Sequence, residues 1–194
     1  MNPKFWIIIF FCLFILGAIT FDKYRFSSRS EMETPRKGDV LINTDSWKDV
    51  PEVVFNPTDG HPVRLSDFRG KVVILNFWAT WCPTCRVEFG SLLKLVRYFK
   101  GDVVLIAVSA DREKSAMDNF LSGLRSEFSL ELDSNYVLVP WDPERRIIGD
   151  LFQTERFPEA IIVSKDGRMV RKVIGSIDWD GEKISGLVKD LLNL

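Results

Sequence analysis

Lys71–Trp78 reads KVVILNFW, with no charge after its lysine. A strand with one wet face alternates apolar and polar residues, so an unbroken apolar run belongs to a strand covered on both faces. Val103–Val108 (VVLIAV) repeats the pattern, and between the two Pro83 opens a helical stretch with Phe89, Leu92, Leu93, Val96 and Phe99 as its apolar positions. Further along, Met117, Phe120, Leu121 and Leu124 mark one face of a helix, and Tyr136–Val139 reads as a short strand. Ile147, Ile148, Leu151 and Phe152 suggest a short helix begun by Pro143, and Ile184, Leu187, Val188 and Leu191 a closing amphipathic one. Two hairpins are predicted, Val53–Asn56 with Pro62–Leu65 around Asp59-Gly60, and Ala160–Val163 with Met169–Ile174 around Asp166-Gly167. Strands alternating with helices predict an α/β three-layer sandwich, a central sheet with helices on both faces.

Composition removes several functional classes. The 194 residues carry 26 Lys+Arg against 27 Asp+Glu, a net charge of −1, without the basic excess of a nucleic-acid binder. Three cysteines are too few for a disulfide-stapled scaffold, and a single His argues against a His-based metal site. With 46% hydrophobic and 27% charged residues the chain is a folding one.

From Phe5 to Phe21 runs FWIIIFFCLFILGAITF, bounded by Lys4 and Asp22 and free of charge. As a helix it would span about 25 Å, short but workable for a bilayer core of roughly 30 Å. A cleaved signal peptide is the competing reading, and Ala18-Ile19-Thr20 is a poor cleavage site. Cys12 lies inside this run as an apolar filler. The chain is therefore divided into an anchor at 1–22, a polar tether at 23–46 and a folded domain at 47–194, with the lipid bilayer a partner through residues 5–21. Lys4 precedes the run, while Lys23, Arg25, Arg29, Arg36 and Lys37 follow it. Taken by itself, that bias places the domain in the cytosol.

The chemistry concentrates at Trp81-Cys82-Pro83-Thr84-Cys85, where a strand ends and a helix begins. A cysteine at a helix N-cap meets unpaired backbone N–H groups and the positive end of the helix dipole, both of which favour the thiolate. Cys82 is thus expected to be the acidic, more exposed nucleophile, and Cys85, in the first turn, the thiol that resolves a mixed disulfide. A CxxC pair is also half of a zinc site, but the domain has no other cysteine, and only His61 lies upstream.

Asn76-Phe77-Trp78-Ala79-Thr80-Trp81-Cys82-Pro83-Thr84-Cys85 resembles the active-site strand and helix of thioredoxin-fold proteins, most closely the membrane-tethered TlpA/ResA/CcmG group of thiol-disulfide oxidoreductases. The resemblance covers about 47–194 and extends to Gly60, to Leu65–Lys71, to Asp142-Pro143, and to Phe157-Pro158 and Asp166-Gly167, where that group has its proline loop and final hairpin. It implies a thioredoxin-like fold with a mixed sheet, a redox disulfide between Cys82 and Cys85, and no cofactor.

It also implies a proton-carrying acid at Glu88, one turn after Cys85; the bland alternative is a solvated helix glutamate. Asn76 stands where general thioredoxins carry a buried aspartate, which shifts proton work toward Glu88. Pro158 is expected to follow a cis bond, with Phe157 and Pro158 facing the CxxC and contacting substrate together with Trp81, Pro83 and Thr84. Glu159 stands where the group often has Thr; Trp78 is read as core and His61 as exposed. Further implications are protein disulfide substrates, apocytochrome c among them, a membrane electron donor of the thiol-transporting kind, and a single-pass inner-membrane protein whose domain faces the periplasm or extracytoplasmic side. Two other readings share the fold. A copper chaperone generally spaces its cysteines by three and adds a distal His, whereas here the spacing is two and no His follows Cys85. A peroxiredoxin would carry Thr three before its cysteine, where this chain has Ala79.

Overall fold

The computed structural model describes residues 41–57, 61–132 and 135–193. The anchor expected at 1–22 and most of the tether lie outside these residues. Among the described residues no helix is long and apolar enough to cross a membrane.

Among the described residues eight strands and three α-helices follow in chain order: β1 (Leu41–Asp49), β2 (Val54–Phe55), β3 (Val63–Arg64), β4 (Val72–Trp78), α1 (Pro83–Phe99), β5 (Val103–Ser109), α2 (Lys114–Leu132), β6 (Val137–Leu138), β7 (Glu159–Val163), β8 (Arg168–Ile174) and α3 (Glu182–Asn193). A 3-10 turn at Leu65–Phe68 and a π-helical turn at Arg146–Leu151 complete the elements. Six strands form one sheet in the order β1-β8-β7-β4-β5-β6, and β2 pairs only with β3. β4, β5 and β6 run parallel, while β7, β8 and β1 join antiparallel, so the sheet is mixed as expected.

The apolar runs occupy the centre: β4 and β5 are buried at every position. Strand parity splits the core in two. Val72, Ile74 and Trp78 face a layer holding Phe89, Leu92 and Val96 of α1, Met117 and Leu121 of α2, and Ile184 and Val188 of α3. Val73, Leu75 and Phe77 face the other way, against Phe55, Leu65, Ile148 and Phe152. The α-helices thus share one core instead of dividing between the two faces. The crossover rule explains this: β4, β5 and β6 are laid down successively in one direction, so two right-handed crossovers carry α1 and α2 to the same side. The second face is covered by the β2–β3 hairpin, the 3-10 turn and the π-helical turn.

Two further differences have local causes. β1 begins at Leu41, so residues 41–46, read as tether, form an edge strand along β8, with Leu41 opposite Val173 and Asn43 opposite Arg171. A ladder of backbone hydrogen bonds needs no apolar alternation, which is why this polar segment carried no strand signal. The short helix expected to begin at Pro143 starts at Arg146 instead. Its N-cap is Arg145 at φ 56, and its free N–H groups are taken by Asp142, whose carboxylate accepts from Arg146, Ile147 and Ile148 at 3.0, 2.9 and 2.9 Å.

Candidate active site

β4 delivers the chain to the CxxC at the C-terminal edge of the parallel strands, where α/β sheets place their sites. The turn between is pinned from β5. Asp111 accepts from the Thr80 backbone N–H at 3.1 Å and its hydroxyl at 2.7 Å, and the Ser109 hydroxyl donates to the same carboxylate at 2.8 Å. The Ala110 N–H donates to the Trp78 carbonyl at 2.8 Å, extending the junction past the last strand pair.

Cys82 is the N-cap of α1 and Pro83 its first residue, where the missing N–H costs nothing. The Cys85 N–H donates to Cys82 Sγ at 3.2 Å, so the sulfur takes the place a capping oxygen usually fills. Thr84 Oγ1 lies 3.5 Å from the same sulfur. Cys82 and Cys85 are joined as a disulfide, with their Cα atoms 5.3 Å apart. Cys82 is 5% exposed and Cys85 fully buried, so attack from outside meets Cys82 first.

Glu88 lies one turn beyond Cys85 and is only 3% exposed, which sets aside the solvated alternative. Even positions of β4 face α1, so Asn76 points at it: Asn76 Nδ2 donates to Glu88 Oε1 at 3.1 Å. From the loop after β8, the indole N–H of Trp179 donates to Oε2 at 3.4 Å. Burial pushes the Glu88 carboxyl from its ordinary 4.5 up to about 7, while the donors Asn76, Trp179, Ser176 and the Ile177 backbone pull it back. It therefore exchanges a proton near neutrality.

Phe157 and Pro158 are linked by a cis peptide bond, as the sequence predicts. The Phe157 ring meets Trp81 edge-on at 5.5 Å between centroids, and the Arg145 guanidinium lies over the same ring, 5.3 Å from its centroid. Trp81 is 63% exposed, and Pro83 and Thr84 are exposed too, so the residues flanking Cys82 in the chain are open to solvent while the disulfide is nearly closed. Trp78 is fully buried, its indole N–H donating to the Ala107 carbonyl at 3.1 Å. Glu159 turns inward, accepting from Thr154 Oγ1 at 2.6 Å and pairing with Lys172 Nζ at 2.9 Å. His61 is exposed.

The structure thus brings Trp81, Cys82, Cys85 and Phe157 together at the N-terminus of α1, with Glu88 one turn further along that helix and Pro158 following Phe157 across the cis bond. Asp111 and Trp179 escaped the sequence reading. A signal existed for Asp111, a polar residue two positions beyond the buried β5. Trp179 had none, since 91 residues separate it from Glu88.

The AhpC/TSA family model matches residues 48–171, more than half of the chain. The chain belongs to the AhpC/TSA family. Among its relatives, thiol-disulfide oxidoreductase ResA of Bacillus subtilis is 29% identical over 147 residues, covering 75% of this chain and 73% of that protein. ResA of Geobacillus kaustophilus is 30% identical over 129 residues, 66% of this chain and 68% of that protein. ResA of Bacillus cereus, 28% identical, aligns over 92% of this chain and 91% of its own. A Chlorobium tepidum structure assigned as a thiol:disulfide interchange protein DsbE superposes with a TM-score of 0.64 at 25% identity, covering 76% of this chain and 98% of that one. The thioredoxin domain of a Bacteroides vulgatus thiol-disulfide oxidoreductase matches in fold, with a TM-score of 0.61 at 23% identity, over 77% of this chain and 99% of that one. This AhpC/TSA member has a thioredoxin-like fold and is a thiol-disulfide oxidoreductase of the ResA/DsbE type.

Proposed function

We propose that the chain is a membrane-anchored, extracytoplasmic reductase of protein disulfides, with Cys82 as nucleophile, Cys85 as resolving thiol and Glu88 as the group that exchanges a proton with Cys85. The observation that carries this reading is the pair of sulfurs at the N-terminus of α1 with a buried carboxyl one turn on. In the reduced protein, the Cys82 thiolate attacks one sulfur of a substrate disulfide; a mixed disulfide forms and the other substrate sulfur leaves as thiolate. Cys85 gives its proton to the Glu88 carboxylate and attacks Cys82 Sγ. The Cys82–substrate bond breaks, the second substrate thiolate leaves, and the Cys82–Cys85 disulfide forms. The substrate gains two electrons and the protein loses two, which a membrane donor of the thiol-transporting kind restores.

Trp81, Pro83, Thr84, Phe157 and Pro158 form the contact surface for the client chain, which the exposure of Trp81 and the Trp81–Phe157 ring pair support. Apocytochrome c is the proposed client class, by resemblance to the group named from the sequence. The alignment over 92% of this chain with the Bacillus cereus relative takes in part of the N-terminal segment, consistent with a shared anchor. No metal or cofactor is required by this cycle. The test is partner trapping: Cys85→Ser should accumulate a mixed disulfide with client proteins in membranes, and Cys82→Ser should abolish exchange. Reversed roles, or no trapped adduct with either variant, overturn the reading.

A further inference from the structure

The loop between β8 and α3 does more than join two elements. Trp179 is fully buried in it, and besides its indole bond to Glu88 its backbone N–H donates to Ser91 Oγ at 3.4 Å. Ser91 Oγ in turn donates to the Glu88 carbonyl at 2.8 Å, and Lys94 pairs with Asp180 at 3.6 Å. Glu88, Ser91 and Lys94 are spaced three apart on α1, so the loop is fastened along one stripe of that helix. Ser176 and the Ile177 backbone N–H also reach the Glu88 carboxyl. From the sheet, Asn76 is the remaining partner, and its register neighbours are Ala107 on β5 and Ala160 on β7, both too small to fill the space Glu88 enters.

We infer that residues Ser176–Trp179 form a clamp that holds the Glu88 carboxylate, with Trp179 as the positioning residue that sets how readily Glu88 takes and gives its proton. This deepens the reading of Glu88 as proton partner of Cys85 and rests on it. The groups that face Glu88 from each packed element are neutral: the Asn76 amide from β4, alanines beside it, and the Trp179 indole, Ser176 hydroxyl and Ile177 amide from the loop. Asp178, Asp180 and Lys94 are the charged neighbours on the loop and α1, and they interact with one another near the surface. The Cys82–Cys85 disulfide does not titrate. Hydrogen-bond donation is thus the clamp's means of control: each donor favours the ionised form.

The experiment is a pH titration of the oxidised full chain carrying 13C-labelled glutamate, with the Glu88 signal assigned by its loss in Glu88→Gln. Trp179→Phe keeps a buried ring and removes the donor, so the Glu88 midpoint should rise by about one pH unit. A loosened, wetter core would lower the midpoint instead, so the sign separates lost donation from lost packing. An unmoved or lowered midpoint overturns the clamp. Should Trp179→Phe fail to fold, Ser176→Ala on the same loop should raise the midpoint by a smaller step, and no rise there overturns it equally. Exchange kinetics of Glu88→Gln separate the two readings. Unslowed exchange with a moved midpoint leaves the clamp standing and removes Glu88 from the cycle. Slowed exchange with an unmoved midpoint does the reverse.

Discussion

Burying the Glu88 carboxyl costs stability, and that cost takes the form of pH dependence. Its carboxyl is raised from 4.5 to about 7 by burial, with Asn76 and Trp179 offsetting only part of the desolvation. The folded state therefore holds a proton that the unfolded chain releases between these values. With more protons bound when folded, stability falls as pH rises from about 4.5 through about 7 and is level above it. The difference corresponds to about 3 kcal/mol at most, since solvent relaxation in a folded protein reduces it. Glu88→Gln should remove that slope and make the oxidised protein more stable at pH 8. Asn76 can accommodate the change, because its Oδ1 is buried without a partner and can face the new amide after a flip. Urea midpoints for both proteins at pH 5 and pH 8 check this; parallel pH slopes would mean that Glu88 does not carry the proton. In exchange assays the same variant should be slower and lose its inflection near neutrality. A buried acid with a strongly raised pKa beside a redox-active pair is a candidate for its chemistry.

At the scale of elements, the junctions around the site are held by single carboxylates. Asp142 satisfies three successive N–H groups of the π-helical turn, and Ile148, one of the three donors, is fully buried. Asp142→Ala leaves those donors unpaired and should destabilise the domain by about 2 kcal/mol, with Asn recovering part of the loss. Equilibrium urea unfolding of the three proteins measures it, and a loss below a few tenths of a kcal/mol would mean the turn finds other partners. This contact also marks where sequence reasoning stops. β4, β5 and α1 were legible because burial on both faces gives long apolar runs, interrupted within β4 only by Asn76, and an amphipathic helix repeats its apolar stripe. The start of the π-helical turn was not, since Pro143 imitates a helix opening while the true start depends on how Asp142 folds back. β1 was illegible for a different reason: an edge strand of polar residues is specified by its neighbour β8 and not by its own pattern. The CxxC and its cis proline could be read from local motifs, whereas the Trp179 clamp arises only when residues far apart in the chain meet.

At the scale of the whole molecule, two physical rules point in opposite directions. Five basic residues, Lys23, Arg25, Arg29, Arg36 and Lys37, follow the uncharged run against Lys4 before it, a bias that by the positive-inside rule keeps the domain in the cytosol. The redox site argues otherwise. The proposed reductase cycle needs a tether where client thiols oxidise and reducing equivalents must be delivered, which is outside the cytosol. The alignment over 92% of the chain with a ResA relative carries the likeness into the N-terminal segment. All five basic residues follow Phe21 within the roughly 15–20 residues over which the charge rule counts, so the two rules conflict directly and a topology reporter decides between them. Alkaline phosphatase fused after Leu194 should therefore be active, and β-galactosidase at the same position inactive. The inverse pair of activities would put the dithiol in the reducing cytosol and leave the proposed client class without access to it.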